Sequence, residues 1–137
     1  MMVTKADRIT LIEKAQEARR RAYAPYSGFT VGAALLGKSG KVYTGCNVEN
    51  ASFSPTCCAE RVAIFKAVSE GESEFVAIAI AGGKKNEPAA ACPPCGVCRQ
   101  VLSEFCSEEL SVILADGKEN VTLLTLGSLL PHRFHLS

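Results

Sequence analysis

The sequence has little that would commit it to a membrane or a polymer. In its 137 residues no apolar run approaches the roughly 20 needed to span a bilayer. The stretch Met1 to Arg21 mixes charged with apolar side chains and has neither the apolar core nor the small-residue cleavage site of a secretory signal. A cytoplasmic protein is the expectation. Charge of one sign is not in excess either: 15 Lys and Arg face 14 Asp and Glu, a formal net charge of +1. That balance removes any general attraction to polyanions, so a free small molecule is a better partner than a nucleic-acid strand. Internal repeats, low-complexity segments and Pro/Gly/Ser linkers are also missing, and residues 1–137 read as a single domain.

What is present is an ordinary globular composition, 47% hydrophobic and 21% charged. A chain of this length buries roughly two-thirds of its unfolded surface. Seven cysteines in a cytoplasmic chain point to metal or redox chemistry sooner than to disulfides, and the number is odd.

Apolar residues at helical spacing predict an amphipathic helix over 7–22, stopped by Ala24-Pro25, with Arg19, Arg20 and Arg21 on a solvated face. Phe29 to Leu36 and Lys41 to Val48 read as a hairpin around Gly37-Lys38-Ser39-Gly40. Ala59 to Ser69 reads as a helix capped near Gly71, and Phe75 to Ala81 as a strand covered on both faces. Gly82 to Pro88 is a polar loop, and Cys95 to Cys106 a further amphipathic helix. Two more strands, 110–115 and 121–126, precede a short turn at 127–130. The order α-β-β-α-β-α-β-β predicts an α/β protein, a three-layer α/β/α sandwich around a five-stranded mixed sheet. Its first strands pair by hairpin and its later ones are joined by helical crossovers.

Two stretches carry chemistry: Thr56-Cys57-Cys58-Ala59-Glu60-Arg61 and Pro93-Pro94-Cys95-Gly96-Val97-Cys98-Arg99-Gln100. Both sit where a loop enters a helix, where the dipole and unpaired N–H groups favour thiolates. Cys95 and Cys98 can face one point, the geometry of two thiolates on one Zn²⁺. Cys58 supplies a third ligand, with its neighbour Cys57 the alternative. Three ligands leave a coordination position open for water, as in a catalytic zinc. Glu60 stands two residues from Cys58, within reach of that water and able to move its protons.

Cys-x-Glu followed by Pro-Cys-x-x-Cys resembles the signature of the zinc-dependent nucleoside and nucleobase deaminases. Four flanking segments are similar to the small cytidine deaminases in particular: Ala24-Pro25-Tyr26-Ser27, Phe29-x-Val31-Gly32-Ala33-Ala34, the run from Gly45 to Ser52, and Leu129-Leu130-Pro131. The resemblance implies a cytidine deaminase-like fold and hydrolytic deamination of cytidine and 2′-deoxycytidine in pyrimidine salvage. One zinc per subunit would be held by Cys58, Cys95 and Cys98. Its activated water would attack C4 while Glu60 shuttles protons from water to N3 and to the departing ammonia. Arg61 would hydrogen-bond the ligand thiolates and draw off part of their charge. By the same resemblance Asn47 and Glu49 bind the ribose hydroxyls, Phe29 lies against the pyrimidine, and Ala59 lines the base site. Ala51, Phe53 and Phe134 would complete a neighbouring subunit's pocket in a homotetramer. Position 53 departs from the family's tyrosine and lacks the phenol hydroxyl.

Other readings stay open. A relative acting on a modified cytosine nucleoside such as blasticidin S would share the site. A structural zinc module would show four protein ligands, and a redox dithiol would cycle without metal. Cys46, Cys57, Cys92 and Cys106 read as small hydrophobes, and His132 and His135 as surface residues.

Overall fold

The structure is a computed structural model that describes residues 3–117 and 120–136. Its elements are α1 (Lys5–Arg19), β1 (Phe29–Gly37), β2 (Val42–Cys46), α2 (Ala59–Ser69), β3 (Phe75–Lys84), α3 (Gly96–Phe105), β4 (Ser111–Ala115), β5 (Val121–Thr125) and α4 (Leu126–Leu129). The five strands form one mixed sheet in the order β2-β1-β3-β4-β5. β1 is antiparallel to both β2 and β3, β3 is parallel to β4, and β4 is antiparallel to β5. Thus β2, β3 and β4 run in one direction, and the helices that follow β2 and β3 start at the same end of the sheet.

Alternation along the central strands divides the core in two. Ala33, Leu35, Ile78, Ile80, Val112 and Leu114 face α2 and α3, packing with Ala63, Ile64 and Leu102. Ala34, Leu36, Ala77, Ala79, Ala81 and Ile113 face the other way, onto Leu11 and Ala15 of α1. Strands covered on both faces need no polar side, which is why β3 reads as an unbroken apolar run. The expected three-layer sandwich is present.

Several boundaries differ from expectation for identifiable reasons. α1 begins earlier, because Thr4 and Asp7 form a reciprocal capping box. It also ends earlier, at Arg19, well before Pro25. Arg19 is not on a solvated face: its guanidinium is part-buried, donating to the Thr30 carbonyl and hydroxyl at 3.0 Å and to the Lys84 carbonyl at 2.7 Å. The polar loop expected from Gly82 begins only after Lys84, since Gly82 and Gly83 continue β3 opposite Val31 and Thr30. Both glycines serve close approach. A Cβ on Gly82 would stand 2.8 Å from Cys92 Sγ, and one on Gly83 would stand 2.8 Å from Arg19 Nη2. The last two strands, β4 and β5, pair antiparallel on either side of Asp116-Gly117, while helices join β2 to β3 and β3 to β4.

Candidate active site

Cys58 and Cys95 are the N-cap residues of α2 and α3, both extended, with φ/ψ of −70°/155° and −67°/168°. Neither thiol caps its own helix by a side-chain hydrogen bond. Both thiols are free to turn toward each other, and Cys98 joins them from the first turn of α3. Cys58 Sγ lies 3.9 Å from Cys95 Sγ, and Cys95 Sγ lies 3.4 Å from Cys98 Sγ. All three sulfurs are within 4.8 Å of one another. Thiolates on one tetrahedral ion at about 2.3 Å stand about 3.8 Å apart, so this donor set fits a single Zn²⁺. Cys57 is not in the cluster. Its backbone pairs with Val48 in both directions at 2.9 Å, which fixes the register and presents Cys58 to the site.

The electrostatics follow from burial and hydrogen bonding. Donation from Cys98, with Arg61 alongside, pulls the Cys58 thiol down to about 5. Giving that same hydrogen bond raises Cys98. Arg61 Nη2 donates to Cys58 Sγ at 3.3 Å, and Arg61 Nε is buried without a partner. A cation beside the sulfurs suits a cluster whose three thiolates outweigh the charge of one divalent ion. Glu60, in the first turn of α2, is only 4% exposed, and burial pushes its carboxyl up to about 7.

A cavity of about 330 Å³ opens onto the cluster. Its wall includes Cys58, Ala59, Glu60, Cys95, Phe29, Asn47 and Glu49, so seven of the expected site residues share one space. Cys98 completes the sulfur cluster from beneath, fully buried. Ser27, Val31, Thr56, Cys92 and Pro93 line the same cavity and were not singled out from the sequence as site residues; Cys57, the alternative ligand, also lies in its wall. Burial raises Cys92 to about 11, and it raises Cys57 as well, so both thiols are neutral walls.

Asn47 and Glu49 are held in place by the main chain. Asn47 Oδ1 accepts from Val31 N–H at 2.8 Å while Nδ2 donates to the Phe29 carbonyl at 2.9 Å. The side chain thereby continues the β1–β2 ladder just past Cys46, where β2 ends. Glu49 Oε1 accepts from the Tyr26 and Ser27 amides at 2.9 and 3.1 Å, and Oε2 accepts from the Ser27 hydroxyl. These bonds hold the Glu49 carboxyl below the usual carboxylate range, the Ser27 hydroxyl most of all.

Three expected residues lie elsewhere. Phe53, 72% exposed, edges against Tyr26 with ring centroids 6.3 Å apart and lines an adjoining cavity of about 240 Å³. Its φ of +60° is uncommon for a non-glycine residue. Ala51 is exposed, and Phe134 is 67% exposed, with its carbonyl held by Gln100 Nε2 at 3.1 Å. Neither lines this cavity. His132 and His135 are exposed, as expected. A larger groove of about 580 Å³ runs between the end of α1 and residues 85–89, lined by Arg19, Arg20 and Lys85, and has no cysteine in its wall. Size does not identify the site; chemistry does.

A doubly covered sheet with two helix N-termini delivering three thiols and a buried carboxyl defines a metal-dependent α/β enzyme. The chain belongs to the cytidine and deoxycytidylate deaminase family: the model of that family's zinc-binding region matches residues 5–114. It is 48% identical to a cytidine deaminase of Halalkalibacterium halodurans over 93% of this chain and 94% of that one. A cytidine deaminase of Sporosarcina psychrophila is 46% identical over 90% of this chain and 88% of its own. Among solved structures, cytidine deaminase from Burkholderia pseudomallei superposes with a TM-score of 0.84 at 46% identity, covering 92% of this chain and 98% of that one. The Mycobacterium tuberculosis enzyme gives 0.80 at 40% identity, covering 95% and 98%.

Proposed function

We propose that this chain is a single-domain cytidine deaminase that hydrolyses cytidine and 2′-deoxycytidine to uridine and 2′-deoxyuridine with release of ammonia, a pyrimidine salvage reaction. The observation that carries the reading is the convergence of three thiols into one cluster that, with a buried carboxyl, borders a cavity also lined by Asn47 and Glu49. Cys58, Cys95 and Cys98 hold the zinc. When bound, the ion supplies Lewis acidity that makes a water molecule nucleophilic near neutral pH.

Glu60 does the proton work. With its carboxyl near 7 it gives and takes a proton with comparable ease at neutral pH. It removes one proton from the attacking water and places it on N3 of the pyrimidine, then takes the second proton from the oxygen now bonded to C4 and delivers it to the departing amine as the C4–N bond breaks. One carboxyl serves these transfers because the atoms involved surround C4. Its burial keeps bulk water from competing for the proton.

The rim selects a sugar. An ionised carboxylate offers about four acceptor sites. The turn at Tyr26-Ser27 uses two on Glu49 Oε1 and one on Oε2, leaving one for a ribose hydroxyl. Asn47 Nδ2 keeps one hydrogen beyond the one given to Phe29. A lone carboxylate acceptor repels phosphate, which favours nucleosides over nucleotides. Phe29 stacks against the base, and Ala59 packs at its reacting edge.

Ala51, Phe53 and Phe134 contact the substrate or rim of a neighbouring copy in a homotetramer. Their exposure supports that role, and a monomer by light scattering at micromolar concentration would refute it. We place the protein in the cytoplasm.

The test is conversion of cytidine to uridine followed by ultraviolet absorbance, with Glu60→Gln alongside. The parent turns over, and the variant loses a factor of about 100 to 10,000 in kcat while retaining zinc. No turnover by a zinc-loaded parent would overturn the assignment.

A further inference from the structure

The geometry points to Arg99 as the positioning residue of the Cys95 ligand: its amide and its guanidinium together fix the two peptide planes on either side of Cys95. Of the three cluster cysteines Cys95 is the exposed one, so packing constrains it least. The direction of its Cα–Cβ bond depends on the two flanking peptide planes. On the far side, Arg99 N–H donates to the Cys95 carbonyl at 2.9 Å, an ordinary first-turn helical bond. On the near side, Arg99 Nε reaches back past the start of α3 and donates to the Pro94 carbonyl at 2.8 Å.

That second bond acts on the torsion left free. The proline ring fixes φ at Pro94, so the plane of the Pro94–Cys95 peptide is set by ψ alone. Pro94 is fully buried, and its carbonyl requires a partner. The guanidinium is itself anchored, because Nη1 donates to the Leu129 carbonyl in α4 at 2.8 Å. A lysine cannot copy this arrangement, since one ammonium has no planar fork to bridge two carbonyls.

The inference rests on the three-cysteine zinc reading, and the experiment separates the two. Zinc release from the full-length zinc-loaded protein is timed with a chromophoric chelator for the parent, Arg99→Lys, Arg133→Lys and Cys95→Ser. Arg133 donates to the Ser103 and Cys106 carbonyls at 3.4 and 3.0 Å, the same kind of bonds at the other end of α3. Arg99→Lys is expected to release zinc about 10 to 100 times faster than the parent. Its KM for cytidine at saturating zinc should stay within about twofold of the parent's, as expected when ligand positioning rather than the substrate site is disturbed. Arg133→Lys should lower the melting temperature yet release zinc at the parent's rate. Release from Arg99→Lys at the parent's rate, or equal acceleration by Arg133→Lys, overturns the role of Arg99. A parent without zinc, or Cys95→Ser holding it as firmly as the parent, overturns the zinc reading instead.

Discussion

Gly45 of β2 lies directly beneath the first turns of α2: a Cβ there would stand 2.5 Å from the Ala59 carbonyl oxygen and 2.7 Å from the Ala63 amide nitrogen. The obstacle is backbone, which yields only if the helix moves. α2 carries Glu60 and begins at Cys58, so its height above the sheet sets the position of both. Gly45→Ala should therefore destabilise the protein by about 1–3 kcal/mol. Activity should fall further than stability implies, by up to about 100-fold at a displacement near 1 Å. Urea denaturation and initial rates on one preparation check this, and a kcat within twofold of the parent would contradict it.

Asn47 has a structural duty separable from substrate contact. Asn47→Asp puts an acceptor against the Phe29 carbonyl, which now receives a donor. An unmet buried hydrogen bond costs about 1–3 kcal/mol. A higher KM for cytidine together with a lower urea midpoint is the expected result. A raised KM with no change of midpoint would mean that the bond to Phe29 is dispensable.

Arg61 offsets the sulfur charge. Arg61→Ala removes the Cys58 hydrogen bond and should weaken zinc retention or activity by about 10 to 100-fold. Competition against a chelator of known affinity, with steady-state rates beside it, gives both numbers. Unchanged values for both would remove Arg61 from the account.

Burial of Glu60 has a pH signature in metal-free protein. An exposed carboxyl titrates near 4.5, whereas Glu60 in the fold titrates at about 7. Between these values the folded state holds a proton that the unfolded chain has released, so this group's contribution falls as pH rises through the window. Cys58, drawn down to about 5 from the ordinary thiol value near 9, acts in the opposite direction. The diagnostic quantity is therefore the difference between parent and Glu60→Gln. Chelator-treated parent should lose up to about 3 kcal/mol relative to the variant from pH 4.5 to 7. Parallel stability curves would show that Glu60 is ionised in the fold.

The sequence made α2 fully legible, Ala59–Ser69, because apolar spacing, a cysteine-bearing entry and Gly71 at φ +97° all agree. The sulfur cluster was equally legible, since two short motifs at helix starts leave few ways to converge. Where tertiary contact decided, sequence was silent. Gly82 and Gly83 looked like loop residues because composition does not distinguish a glycine needed for a turn from one needed for close approach. β2 stops at Cys46, and beyond it the Asn47 amide still donates to the Val31 carbonyl while its side-chain oxygen accepts from the Val31 amide. Arg19 looked solvated until the β1 and β3 carbonyls that it binds came into position. Cys92 read only as a small hydrophobe, and Ser27 only as part of a family-like segment; folding brings both to the cavity.

Cys58 and Cys95 stand 37 positions apart. Joined through one ion, they clasp a loop containing all of α2 and β3. Closing so long a loop in a flexible chain costs on the order of 3 kcal/mol of entropy. Binding free energy at such a clasp is also folding free energy. The metal supply that a newly made chain meets would then govern how much of it becomes folded protein, quite apart from how fast the folded protein works.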